Sequence, residues 1–360
     1  MFSHASVPLF YSIKLTFFVF LSRKIAKILI LLDYYLILCY NESLLKSNKQ
    51  RNIIMIDNKY DDITTYDTPA YKPRKKRLGD RREGRRVRTL PPMSYVSPFI
   101  MKERNDSQNQ FEDVIDITNI EKYLDEKKKE GYTDLTLLHV LLAAYTRVVA
   151  ERPGINRFLA GQRIFARNNI ECVMTIKKEL SLESPDTCIK VILDPRDTVL
   201  NIYKKFQKTV FDARSQENDF DNVAKTLTKL PRPILRWIVK LLEWLDYHGK
   251  LPKALLNVSP FHGSVIVTSM GSLGIPAIYH HLYNFGTLPV FISYGNVFTA
   301  DAIKRDGTRE RHHFITFKVV TDERICDGYY YASAFKRIKR YMLHPELLDV
   351  SPENIVEDID

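Results

Sequence analysis

The order of apolar patterns along the chain predicts an α/β protein built as an α+β two-layer sandwich. Three observations carry that prediction. Short alternating segments recur at 111–119, 162–168, 170–180 and 187–195, the period-2 signature of half-buried strands. A nearly continuous apolar run, LTLLHVLLAAYTRVVAE at 135–151, marks a helix buried on most sides. Three further strand-like segments cluster late, at 264–269, 288–295 and 314–320, so helices and strands do not alternate as a strict βαβ repeat would require.

The elements follow in order from these patterns. FEDVIDITN (111–119) alternates as a strand, and NIEKYLDEKKKEG after it reads as a short helix stopped at Gly131. Thr133 or Asp134 is placed to cap the buried helix, and ERPG at 151–154 ends it. QRIFARN and IECVMTIKKEL flank a turn, and TCIKVILDP adds a third strand. Helical patterns run through 197–214 and 232–249; the second puts Leu235, Ile238, Leu241, Leu242 and Leu245 on one stripe beside Trp237 and Trp244. That stripe suits packing on the domain, or contact with a membrane or partner. SVIVTS, LPVFISYG and FITFKVV are the late strands, and GYYYASAFKRIKRYM (328–342) is an amphipathic helix with Asp327 at its cap position.

The 360 residues, 45% hydrophobic and 11% aromatic, can bury a large core. Cys39, Cys172, Cys188 and Cys326 show neither CxxC pairing nor metal-ligand spacing, the pattern of a reduced, cytoplasmic protein that binds no metal. The net charge is +11, but residues 72–88, KPRKKRLGDRREGRRVR, hold ten Lys/Arg against two Asp/Glu. The excess therefore lies in a short basic arm and not on a folded face, and no specific nucleic-acid-binding motif accompanies it. Residues 1–54 are apolar but interrupted by Lys14, Lys27 and Asp33, too broken for a clean spanning helix. Three readings of this segment stay open: a start-codon artefact with Met55 as the true start, a membrane-associating segment, or a docked helix. The expected division is an apolar segment 1–54, a polar and basic arm 55–92, a catalytic-type domain 93–350 and an acidic tail 351–360.

The stretch TDERICDGYYYASAFKRIKRYM (321–342) reads structurally as a strand end, a tight turn and a capped helix. It also resembles the closing motif of the dihydrolipoamide acyltransferases, the catalytic subunits of 2-oxo acid dehydrogenase complexes. Their motif is Asp-His-Arg-x-x-Asp-Gly, followed by a helix and an ending like HPELL; here it runs Asp322-Glu323-Arg324-Ile325-Cys326-Asp327-Gly328. DITNIEKYLDEKKKEG, LTLLHVLLAAYTRVVAERPGINRFLAG with its Pro-x-x-Asn turn, and SVIVTSMGSLG with LPVFISYG resemble further blocks in the same order. The resemblance covers roughly residues 95–350. It implies a chloramphenicol-acetyltransferase-like fold, a mixed sheet with helices on one side. It also implies a homotrimer with the channel between subunits, and coenzyme A or acyl-CoA as substrate. No lipoyl domain precedes the domain, so the chain resembles a stand-alone version.

Glu323 stands where the family places its catalytic histidine. The resemblance assigns oxyanion stabilisation to a hydroxyl best matched by Thr268 or Ser269, and it retains Asp327. A thiol titrates near ~8.5, an imidazole near ~6.5 and a glutamate near ~4.3. Proton transfer from thiol to glutamate is then uphill by about 4 units, roughly 6 kcal/mol, a gap that burial of the carboxylate can close by ~3–5 units. His280 and His281, in the loop after the Thr268 strand, are the alternative bases. His312 and His313 precede the last strand as predicted, His139 lies within the buried helix as a core histidine, and Cys326 reads as a packed thiol. Phosphate-loop, HExxH and GxSxG signatures are missing from the sequence. Three functional classes therefore stand: an acyl-CoA-dependent acyltransferase, an inactive relative that binds acyl-CoA or a protein, and a peripheral binder of anionic surfaces through 72–88, with membrane contact through 1–54 or 232–249 as a further expectation.

Overall fold

Two sheets organise the described residues. In the computed structural model, residues 63–71, 74–177, 186–215, 227–303 and 306–358 are described; the expectations for residues 1–54 lie outside them. A three-stranded antiparallel sheet joins β1 (Gly84–Arg86), β3 (Arg157–Ala160) and β4 (Arg163–Arg167) in the order β1-β4-β3. The larger sheet has six strands: β2 (Gln108–Asp116), β5 (Ile170–Lys177), β6 (Asp186–Leu193), β7 (Val265–Ser269), β8 (Val290–Ile303) and β9 (Arg309–Asp322). Their order is β2-β9-β8-β7-β5-β6, with β7 parallel to both β5 and β8 and the other pairs antiparallel. The sheet is therefore mixed, as the resemblance implies. Among the described residues the α-helices are α1 (Pro92–Ile100), α2 (Thr118–Lys129), α3 (Leu137–Glu151), α4 (Val199–Ser215), α5 (Arg232–Tyr247), α6 (Lys253–Val258) and α7 (Gly328–Leu343).

Strand alternation divides the large sheet into two faces. Val265, Val267, Val290, Ile292, Ile315, Phe317 and Val319 join one core cluster with α2, α3, α4 and α7. Helix α3 runs through that cluster with every residue from Leu138 to Ala150 buried, as its unbroken apolar run requires. On the opposite face Val173, Ile266, Phe291 and Val320 pack against Leu282 and Leu288 of the loop leading to β8, and the short α6 docks there through Lys190 Nζ, which donates to the Leu256 carbonyl at 2.7 Å.

Several local expectations are corrected. Thr136, not Thr133 or Asp134, caps α3, and its capping box is closed by His139. QRIFARN and IECVMTIKKEL flank a turn as expected, with β4 in the small sheet and β5 in the large one. The last two strands are longer than their apolar cores, because residues 296–303 and 309–313 form a paired, largely exposed hairpin that buries no face and so leaves no alternation. His312 and His313 accordingly lie inside β9, not before it. His312 Nδ1 bonds the Asp116 carboxylate, which together with Glu310 raises its pKa, and His313 Nδ1 meets Glu121 at 2.6 Å.

The basic stretch is also corrected. Described residues 74–88 are in large part folded onto the body: Arg81 is 8% exposed and paired with Glu83 at 2.6 Å and Asp246 at 2.7 Å, and Arg74 and Arg85 both meet Glu357. Local composition counts only neighbours in sequence, whereas Asp246 and Glu357 arrive from far along the chain. Helix α5 is the converse case. Of its apolar stripe only Leu245 is buried, and Ile234, Trp237, Val239, Trp244 and Tyr247 are exposed.

Candidate active site

The turn after β9 is built around one carboxylate. Asp322 is fully buried and held by two guanidinium groups. Arg324 binds it through Nε at 2.8 Å and through a terminal nitrogen at 2.8 Å, and Arg104 Nε donates at 3.2 Å. Burial pushes Arg104 below its ordinary pKa, against the pull of Asp322. The remaining donors are satisfied by carbonyls: Arg104 reaches Tyr283 at 2.7 Å and Leu159 at 3.2 Å, and Arg324 reaches Met101 and Lys102 at 3.1 and 3.2 Å. A buried carboxylate with this many donors is a stable tie. It fixes the path of residues 322–325 against the segment ahead of β2. Arg104 is the site residue that sequence reasoning missed; it lies 218 positions from Asp322 and no periodicity marks it.

The helix after the turn is equally well anchored. Asp327 has extended backbone and accepts from the Tyr330 amide at 2.7 Å, so it is the N-cap that the sequence predicts. The Tyr331 hydroxyl donates to the Asp322 carbonyl at 3.0 Å, and the Tyr330 hydroxyl accepts from the Gly154 amide at 2.9 Å, tying the turn to the PGIN segment. Burial raises the Cys326 thiol far above its ordinary pKa, consistent with a packed thiol and not with a nucleophile.

Glu323 differs from its neighbours. Its amide donates to the Ser107 carbonyl at 3.0 Å, but its half-buried carboxylate has no hydrogen-bond or ion-pair partner among the described residues. The turn presents the side chain, and no described residue engages it. A cleft of about 290 Å³ opens beside the turn, lined by Arg104, Arg324, Asp246 and Asn284 among others.

Thr268 and Ser269 close β7, and the pleat separates them. Ser269 falls in register with Tyr294 on the helix-covered face and bonds the Tyr294 hydroxyl, so its oxygen is engaged. Thr268 falls in register with Ser293, which pairs with Lys318 of β9, on the loop-covered face. Its hydroxyl has no partner among the described residues. His280 is brought to the same face: its ring stacks on Phe291, one row from Thr268, with centroids 4.3 Å apart. Burial, and secondarily His281, lowers its pKa, and its Nε2 is buried without a partner. His281 is instead exposed against Tyr283. His139 accepts at Nδ1 from the Thr136 amide while its Nε2 is unpartnered, and burial lowers its pKa to about 4.

Within one chain the turn and Thr268 do not meet. Thr268 shares a row with Lys318 through Ser293, and Glu323 follows the end of β9 five residues beyond Lys318, roughly 17 Å further in the strand direction at about 3.4 Å per residue. The residues named from the sequence thus form two groups, Glu323 with Asp327 and Thr268 with His280.

No family model matches the sequence, and neither does any curated protein. Among solved structures the chain is similar to a probable dihydrolipoamide acetyltransferase from Listeria monocytogenes, with 19% identity over 75% of this chain and 98% of that one and a TM-score of 0.47. It is similar to the cubic core of a pyruvate dehydrogenase multienzyme complex at 12% identity, covering 73% and 93%, with a TM-score of 0.49. It is also similar to a chloramphenicol acetyltransferase at 11% identity, covering 69% and 94%, with a TM-score of 0.40. Identities at this level leave the chemistry of the site to this chain's own residues.

Proposed function

We propose that the chain is a cytoplasmic, coenzyme A-dependent acyltransferase-like protein whose site is completed between copies of a trimer. The observation that carries this is Glu323: a carboxylate without a partner, held out by a turn whose other polar groups are engaged. The motif around it supports the same reading, since Asp322, Arg324, Asp327 and Gly328 occupy the positions of the acyltransferase pattern. Thr268 is the complementary half, a free hydroxyl on another part of the sheet, and a second copy is the arrangement that would bring it to Glu323.

In the reaction, an acceptor thiol or amine attacks the thioester carbonyl of acyl-CoA as Glu323 takes its proton. The Thr268 hydroxyl donates to the oxyanion. Collapse of the tetrahedral species breaks the carbon–sulfur bond, and the departing coenzyme A thiolate recovers the proton from Glu323. Desolvation of the carboxylate between copies is the physical requirement, because in water a glutamate lies about 4 units below a thiol.

A panel of acyl-CoAs incubated with thiol and amine acceptors, followed by release of free coenzyme A, tests this. Turnover that falls at least about a hundredfold in Glu323→Gln supports a working base. Turnover unchanged in Glu323→Gln but lost in His280→Ala transfers that role to His280. The second reading is an inactive relative that binds acyl-CoA; it is favoured by the lack of any histidine hydrogen-bonded to the turn among the described residues. Saturable acyl-CoA binding without turnover would establish it. Membrane contact through 232–249 is supported separately by exposed Ile234, Trp237 and Trp244 beside exposed Arg232, Arg236 and Lys240, the composition of an interfacial helix. Flotation with anionic vesicles, abolished by Trp237→Ser with Trp244→Ser, tests it.

A further inference from the structure

A second cleft lies away from both groups of candidate site residues. It has a volume of about 900 Å³ and opens between the folded basic stretch and the edge formed by the start of β5 and the end of β6. Ion pairs account for some of its cations: Arg81 meets Glu83 and Asp246, Arg85 meets Glu357, and Arg196 meets Asp194. Lys75, Lys76, Arg82, Lys253 and Arg167 have no ion pair among the described residues; Arg82 donates only to the Leu251 carbonyl, and Arg167 only to the carbonyl and hydroxyl of Thr287.

Three side chains in the lining are more than nine-tenths buried and keep an atom without a hydrogen-bond partner among the described residues: His262, whose Nε2 lies 3.5 Å from the Asp246 carboxylate, Arg167 and Asn156. Arg167 is 6% exposed, and its Nε–H donates to no described residue. Asn156 is 5% exposed, and its Oδ1 accepts from nothing, while its Nδ2 donates to the Asn169 carbonyl at 3.0 Å. That second bond fixes which end of the amide is oxygen. Leaving such atoms unpaired carries a desolvation cost that a ligand's hydrogen bonds would offset. One donor on a cation and one acceptor on an amide ask for a ligand that carries both an anionic oxygen and a hydroxyl. The exposed lysines at the rim ask for more than one negative charge.

We propose that this cleft binds a phosphorylated polyol with two or more phosphates, one phosphate accepting from Arg167 and a hydroxyl donating to Asn156. The site shares no residue with Glu323, Thr268 or His280, so it stands or falls separately from acyl transfer. The same chemistry could reach it as a free metabolite or as an inositol phospholipid headgroup.

Isothermal titration of the full chain with inositol trisphosphate, pyrophosphate and unphosphorylated inositol tests the proposal, with Glu323→Gln as a control. The expected result is saturable binding of the trisphosphate, weaker binding of pyrophosphate and none of inositol. The triple variant Lys75→Ala, Lys76→Ala, Lys253→Ala removes only exposed side chains and should weaken the trisphosphate roughly tenfold or more. Asn156→Leu should narrow the gap between trisphosphate and pyrophosphate. Glu323→Gln should bind as the wild type does. Vesicles containing phosphatidylinositol bisphosphate, compared with phosphatidylserine vesicles of equal charge, separate the two sources: preference for the former places the headgroup in the cleft, and binding confined to the soluble trisphosphate assigns a free metabolite. No binding of the trisphosphate, or binding unchanged in the triple lysine variant, overturns the proposal.

Discussion

The turn at 322–328 and the cleft beside β5 and β6 both gather arginines around the ends of strands, and they treat the charges in opposite ways. In the turn, Arg104 and Arg324 converge on Asp322, and their other donors reach backbone carbonyls. In the cleft, acids answer Arg81, Arg85 and Arg196, while Arg167, Lys75 and Lys253 have no ion pair among the described residues. A satisfied cluster of buried charge is a structural device. An unsatisfied one is an invitation to a ligand. Glu323 brings the second condition into the first: it is the unengaged charge in the middle of the engaged turn.

That contrast can be broken most forcefully at Asp322. Asp322→Ala leaves two buried guanidinium groups facing each other without an anion, and the expected loss is about 3–5 kcal/mol, read from the urea midpoint; Asp322→Asn, which keeps an acceptor, should lose less. A change below about 1 kcal/mol would mean that the carbonyls alone hold the turn. His139 supplies the next largest effect. Its pKa lies at about 4 in the folded chain against 6.5 ordinarily, so the unfolded chain binds the proton more tightly. Stability is full above about pH 6.5 and is lost as pH falls towards 4, by about 2 kcal/mol between pH 7 and 5. His139→Phe should flatten that slope, and an unchanged slope would assign it to other groups.

Asp327 ranks below these. Asp327→Ala removes the cap bond to Tyr330 and should cost about 1 kcal/mol, with Asp327→Ser recovering most of it in thermal unfolding. The smallest stability effect belongs to Glu323. Because its carboxylate has no partner, Glu323→Gln should move the unfolding midpoint by less than about 0.5 kcal/mol; a larger destabilisation would show that Glu323 supports the turn and is not held in readiness.

The sequence made the core strands, the buried α3 and the capped α7 legible, because each buries a face and therefore leaves a period; the mixed pairing of the sheet was implied only by the family resemblance. Helix α1 and the hairpin beyond Tyr294 left none, since their apolar and polar residues are exposed alike. The turn was legible as a motif, with Glu323 visible as its odd residue, but Arg104 was not, because an ion pair across 218 positions has no local signature. The fold of the basic stretch was hidden for the same reason: Asp246 and Glu357, which bind it, lie in other elements. Alternation alone separates Thr268 from Ser269, once the core face of β7 is known.

The central claim is that Glu323 of one copy works with Thr268 of another. Co-expression of Glu323→Gln with Thr268→Val in equal amounts, followed by assay of coenzyme A release, tests it directly. Each variant alone should be nearly inactive, and the mixed assembly should recover about a quarter of the wild-type rate, the fraction of interfaces that pair an intact Glu323 with an intact Thr268 in a closed trimer. A mixed assembly no more active than the two variants alone would contradict the shared site.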